Sequence, residues 1–157
     1  MVTVPWVLDK SYTDSLEILN DYLPEISLQQ FSYGQEALDY LVSTVVPLVI
    51  VSPYIPPGDP YTDPEFATIM RAKDNPDNYE IGLRVIRAAR GDDSLNKNTT
   101  IIAAGFYGLE SDLVPRAQAR ALEAGATEYI NLNELAPEKR LSGYGKLHSR
   151  IQFYLKL

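Results

Sequence analysis

Ser52 stands where an apolar run, PLVIV, gives way to a proline-rich segment, YIPPG. A polar side chain at the end of a hydrophobic strand sits where an α/β protein commonly does its chemistry. A serine hydroxyl is a weak nucleophile unless a base lies beside it. The only histidine, His148, falls between Leu147 and Ile151 in the last helical stretch, where surface exposure or helix packing is the plain reading. One histidine and no cysteine leave zinc sites, thiolate nucleophiles and histidine-dependent triads without support. SGYGKLHS (142–149) has glycines and a lysine ahead of a helix, but Leu147 stands where a phosphate loop needs its metal-binding hydroxyl, so it reads as a helix opening. Asp59, Asp63 and Glu65 are hard oxygen donors on one loop, yet prolines follow two of them and the calcium-loop pattern is not met. No metal site and no cofactor are expected.

The elements that must position Ser52 are legible as periodicity. Apolar, β-rich runs occupy 2–8, 26–31, 47–51, 99–105 and 127–132. Between and after them, apolar residues recur at helical spacing: Leu16, Leu19 and Leu23; Ala37, Leu38 and Leu41; Leu83, Ile86 and Ala89; Leu113, Ala117 and Ala121; Leu147, Ile151 and Leu155. Regular alternation of this kind predicts an α/β fold with a mostly parallel sheet and right-handed crossovers. The central runs PLVIV and TIIAA are apolar throughout, as strands covered on both faces should be. Gly34 and Gly125 read as punctuation, Gly125 as a helix C-cap after ARALEA. Pro5 removes a ladder donor, which predicts incomplete pairing early in the first strand. Residues 53–78, with six prolines, form a long insertion after the third strand, within which FATIMRAK could make a short helix.

The chain of 157 residues suits a single domain, 1–157. Its net charge of −7 and lack of any basic run argue against nucleic acid or an anionic membrane as partner. No apolar stretch reaches the length of a membrane span and the first residues lack a signal-like pattern, so a cytoplasmic location is expected.

The order of motifs resembles the receiver domain of two-component response regulators along nearly the whole chain. WVLDKS (6–11) resembles the first strand with its acidic pair, LVIVSPYIPPG (48–58) the third strand with the phospho-acceptor and its loop, and GLRVIRAAR (82–90) the helix that follows. TTIIAAGFYG (99–108) resembles the fourth strand, and ALEAGATEYINL (121–132) the approach to the fifth and that strand itself, the most specific of the matches. The resemblance implies a doubly wound, flavodoxin- and CheY-like five-stranded parallel sheet of order 2-1-3-4-5. It also implies phosphoryl transfer to an aspartate, assisted by a divalent metal, a lysine and a hydroxyl donor. Those groups are missing here. Ser52 stands at the acceptor position, Asp9 alone remains of the acidic pair with Lys10 beside it, Gly105 replaces the Ser or Thr, and Leu132 aligns with the lysine. Tyr129 keeps the family's switch aromatic, although an ordinary core aromatic is the plainer reading of that position.

These departures predict a pseudo-receiver that is not an enzyme and that acts, independently of phosphorylation, as a protein–protein interaction module in signalling or regulation. The chain ends with the fifth helix, so no attached output domain is expected. The partner is a protein, or a second copy in a homodimer. Tyr54, Asp59, Tyr61, Phe106 and Tyr107, on loops at the strand ends, form the candidate contact surface, since tyrosine is favoured at interfaces. The insertion and the face made by the fourth and fifth helices with the fifth strand are further candidates. Two alternatives stay open: a small anionic ligand sensor using the crevice between Asp9, Lys10, Ser52 and Gly105, and an atypical phospho-receiver with an acceptor such as Asp59.

Overall fold

The computed structural model describes residues 1–9, 12–53, 81–105, 113–133 and 142–157. Strand and helix alternate as β1 (Val2–Val7), α1 (Asp14–Tyr22), β2 (Ile26–Phe31), α2 (Gly34–Ser43), β3 (Leu48–Val51), α3 (Ile81–Ala89), β4 (Thr100–Gly105), α4 (Leu113–Ala124), β5 (Glu128–Asn131) and α5 (Ser142–Leu155). All five strands are parallel, in the order β2-β1-β3-β4-β5. This is the doubly wound sheet that the sequence predicts. A long insertion follows β3, which ends at Val51 while α3 begins only at Ile81.

Alternation along the strands builds two cores. Val49, Val51, Ile101 and Ala103 turn to the layer formed by α2, α3 and α4, where Leu41, Leu83, Ile86 and Ala121 meet them. Leu48, Ile50, Ile102 and Ala104 turn to the opposite layer, against Leu16 and Leu19 of α1 and Leu147 and Ile151 of α5. Both faces of the central strands are therefore covered, which is why their sequences show no polar alternation. On the second face, α1 is tied to α5 by the 2.6 Å hydrogen bond between the Ser15 and Tyr144 hydroxyls. His148 Nε2 donates to the Tyr22 carbonyl at 3.2 Å across the same seam. Burial pushes the Tyr144 hydroxyl pKa up.

Pro5 limits pairing on one side only. β1 pairs with β2 from Val2 to Val7 without interruption, whereas its ladder to β3 covers Trp6 and Val7 alone. The expected incomplete pairing thus applies to the β3 side and not to the β2 side. Gly125, at φ 115°, ends α4 as expected, with Ala126 N–H donating to the Ala121 carbonyl. A side chain there would also meet Arg90, since an added Cβ lies 2.7 Å from its Cγ.

Two polar side chains hold the edge of the sheet opposite Ser52. Asn96, fully buried, donates through Nδ2 to the Leu41 carbonyl at 2.8 Å and the Thr44 carbonyl at 2.9 Å, and its Oδ1 accepts from Val46 N–H at 3.0 Å. Arg90 donates to the carbonyls of Gly125, Lys97 and Thr99 at 2.8, 2.8 and 2.6 Å. Desolvation lowers the Arg90 pKa. Among the described residues no helix is long and apolar enough to cross a membrane.

Candidate functional site

The carboxyl ends of the strands converge because their register is set by the ladders Trp6↔Ile50, Val51↔Ala103 and Gly105↔Asn131. Asp9, Ser52, Gly105 and Leu132 therefore come to one edge, while Lys10 lies outside the described residues. Ser52 N–H donates to the Val7 carbonyl at 2.8 Å, which fixes the residue against the end of β1. Its side chain is 4% exposed, and Oγ has no hydrogen-bond partner among the described residues. His148 lies elsewhere, engaged on the α1–α5 seam.

Gly105 and Tyr129 fit one another. A Cβ placed on Gly105 would overlap the Tyr129 hydroxyl and lie 3.0 Å from Cζ, so the phenol fills the space that a side chain at 105 would take. The Tyr129 hydroxyl is buried, and the ring packs on the core layer of α2, α3 and α4. Gly105→Thr is accordingly expected to drive the ring outward, at a cost of about 1–3 kcal/mol from overpacking. Loss of nuclear Overhauser contacts between the Tyr129 ring and residue 105 reports the movement.

Leu132 is fully buried in the α1–α5 core layer, which also holds Leu8, Ile130 and Leu147. Its N–H donates to the Gly105 carbonyl at 2.7 Å. An apolar side chain thus plugs into the core at the position where the resemblance implies a lysine. Asp9 is half-buried, with its carbonyl accepting from Tyr12 N–H at 3.0 Å. The side-chain oxygens at this edge among the described residues include the Asp9 carboxylate, the Ser52 hydroxyl and the Asn131 amide. Among the described residues no group of three or more histidine, cysteine or acidic side chains could hold a metal ion.

Two glycines shape the edge without having been singled out for it. A Cβ on Gly82, near the start of α3, would collide with the Ser52 carbonyl oxygen and come within 2.7 Å of Pro53 Cα. Gly143 meets the ends of β5 in the same way, 2.5 Å from a hypothetical Cβ to Leu132 Cα. Within the SGYGKLHS segment, Gly143 packs the opening of α5 closely against the end of β5. Both glycines lie in motifs already quoted, but the close approach itself depends on distances between elements.

Beside this edge, α4, β5 and α5 enclose a groove of about 550 Å³. Val114 and Gln118 form one wall, Tyr129 and Asn131 the floor, and Lys146 and Arg150 part of the other wall. Arg150 Nε donates to Glu128 at 2.7 Å, and that bond raises the guanidinium pKa above its ordinary value. Gly145 opens on the groove, and a Cβ there would touch nothing within 4 Å. Tyr54, Asp59, Tyr61, Phe106 and Tyr107 lie outside the described residues, as do residues 54–78 of the insertion.

A five-stranded parallel sheet of order 2-1-3-4-5 with helices on both faces is the CheY-like receiver fold. The chain is similar to a response regulator from Hahella chejuensis, with 17% identity, a TM-score of 0.67 and coverage of 100% of this chain and 97% of that one. It is similar also to the receiver domain of a Francisella response regulator, at 15% identity and a TM-score of 0.61, covering 99% and 98% of the two chains. A third likeness is to the receiver domain of a sensor histidine kinase from Pseudomonas aeruginosa, at 15% identity and a TM-score of 0.58, covering 99% and 98%. That domain holds a magnesium ion in its active site cleft. No family model matches the sequence, and no curated protein matches it significantly.

Proposed function

We propose that this chain is a pseudo-receiver: a non-enzymatic module that keeps the receiver fold, transfers no phosphoryl group, and binds a protein partner in a signalling or regulatory assembly. One observation carries the reading. At the end of β3, the acceptor position, stands the buried hydroxyl of Ser52 rather than a carboxylate. The Gly105–Tyr129 fit and the burial of Leu132 support it, because they fill with aromatic and aliphatic groups the places where a phosphoryl group would need a hydroxyl and a lysine. The α4–β5–α5 groove is the surface we assign to the partner, since it offers tyrosine, amide and cationic groups beside open helix surface.

The test is an amide NMR titration with magnesium followed by beryllofluoride, a mimic of aspartyl phosphate. Amides of Asp9, Ser52 and Gly105 are expected to stay in place. Saturable shifts there that spread to Tyr129 would sink the reading. The partner face is probed by Gly145→Trp, which is expected to fill the groove while the melting temperature stays at or above that of the parent. Loss of glycine from a helix interior is worth about 1 kcal/mol. Retention of partner binding by that variant would remove the groove from the proposal.

A second reading, a small anion taken up at the strand ends, is favoured by the Ser52 hydroxyl, which has no hydrogen-bond partner among the described residues. It separates from the first through Ser52→Ala. With no ligand, removing an unsatisfied buried hydroxyl is expected to raise stability by about 1 kcal/mol, read as a higher urea midpoint at unchanged slope. A drop in stability instead would mean that the hydroxyl has a partner.

A further inference from the structure

The sheet edge opposite Ser52 carries a second concave surface, made by the carboxyl-terminal ends of α2 and α3 and the turn that follows α3. A groove of about 280 Å³ runs there between Leu38, Leu41 and Val42 on one side and Ala88 and Ala89 on the other. Leu41 and Ala89 are buried beneath it, whereas Val42 is 71% exposed. Val45 and Leu95, 69% and 55% exposed, extend the apolar surface. Their proximity follows from Asn96. By bonding the Leu41 and Thr44 carbonyls and Val46 N–H, it clamps the turn carrying Leu95 onto the turn carrying Val45. The surface is held rigid by a buried polar anchor, so little ordering entropy is lost on binding.

The rim has a sign. Asp92 and Asp93 line the groove, and the Asp92 side chain is 91% exposed although Lys97 pairs with it. Two helix carboxyl termini, each carrying a partial negative charge, end at the same place, and α2 has no basic residue in its last turn. Arg87 is the basic residue in the last turn of α3, and Arg90 beyond it is spent on the carbonyls of Gly125, Lys97 and Thr99. A two-fold pairing of this chain through the groove would set the acidic rims of two copies, each of net charge −7, against one another. A partner of opposite charge meets no such repulsion.

We propose that this groove is a docking site for a short peptide segment with an aliphatic anchor flanked by lysine or arginine. It is independent of the strand-end crevice and of the α4–β5–α5 groove, and it stands whether or not the pseudo-receiver reading does.

The probe is a synthetic six-residue peptide with two leucines between pairs of lysines, titrated at low salt into the isotope-labelled full chain. Saturable amide shifts are expected over residues 38–45 and 88–95, and a control peptide with glutamates in place of the lysines is expected to give none. Asp93→Lys, a charge reversal at an exposed position, is expected to weaken binding about fivefold or more. Val42→Ser is expected to abolish saturation. Shifts scattered over every acidic surface, equal binding of the control peptide, or no saturation at all would overturn the proposal. So would concentration-dependent shifts at these amides without peptide, which would assign the face to self-association.

Discussion

Asn96→Ala is expected to lower the free energy of unfolding by about 3–5 kcal/mol, the largest loss for any single polar side chain described above. The side chain is fully buried and serves three backbone groups, the Leu41 and Thr44 carbonyls and Val46 N–H. Each is taken from water on folding, and a buried group left unpaired costs about 1–3 kcal/mol. Thr99 Oγ1, which donates to Asn96 Oδ1 at 3.1 Å, loses that acceptor but keeps the Val46 carbonyl at 3.2 Å. Urea denaturation at unchanged slope measures the loss. Asn96→Asp keeps the acceptor and removes both donors while adding a buried charge, so it is expected to be no better than alanine. A loss below about 1 kcal/mol for alanine would mean that water replaces the clamp. Because the clamp also seats Leu95 beside Val45, the apolar surface at this edge is expected to loosen in the same variant.

Gly82→Ala is the second large effect, at about 3 kcal/mol, near the upper end of what overpacking costs. The added methyl collides with the Ser52 carbonyl oxygen and sits 2.7 Å from Pro53 Cα, and neither atom can rotate away as a flexible side chain could. Relief requires α3 to move off the end of β3. The variant is thus expected to shift the amides of Val51 and Ser52 strongly, as well as to lower the urea midpoint. Gly105→Thr offers the contrast. There the colliding atom is the far end of the Tyr129 side chain, which can turn aside, so structure is expected to change more than stability. If Gly82→Ala is as mild as a surface substitution, the apposition of α3 to Ser52 is looser than these contacts imply.

What was legible in the sequence, and what was not, divides along the range of the interactions. Strand and helix order followed from periodicity, a property of neighbouring residues, and each expected strand ends within one residue of its observed boundary. The turn at Gly125 was legible for the same reason, since a helix C-cap is a local conformation and φ 115° suits glycine alone. Ser52, Gly105 and Leu132 could be assigned to strand ends because the apolar frame around them sets their place in each strand. Their surroundings could not. That Leu132 belongs to the α1–α5 core, that Tyr129 occupies the space above Gly105, and that Gly82 and Gly143 are pressed against β3 and β5 are consequences of distances between elements remote in the chain. Pro5 shows the same division: the missing donor is local, but which neighbouring strand feels it depends on the sheet order. Asn96 gave no signal at all, because its partners lie some fifty residues away, at 41–46, and asparagine before a strand reads as any turn residue. The sequence by itself determined the elements and their order. Only the tertiary structure decided which side chains pack at the strand ends and where exposed grooves remain, because packing is settled by three-dimensional proximity that no local pattern records.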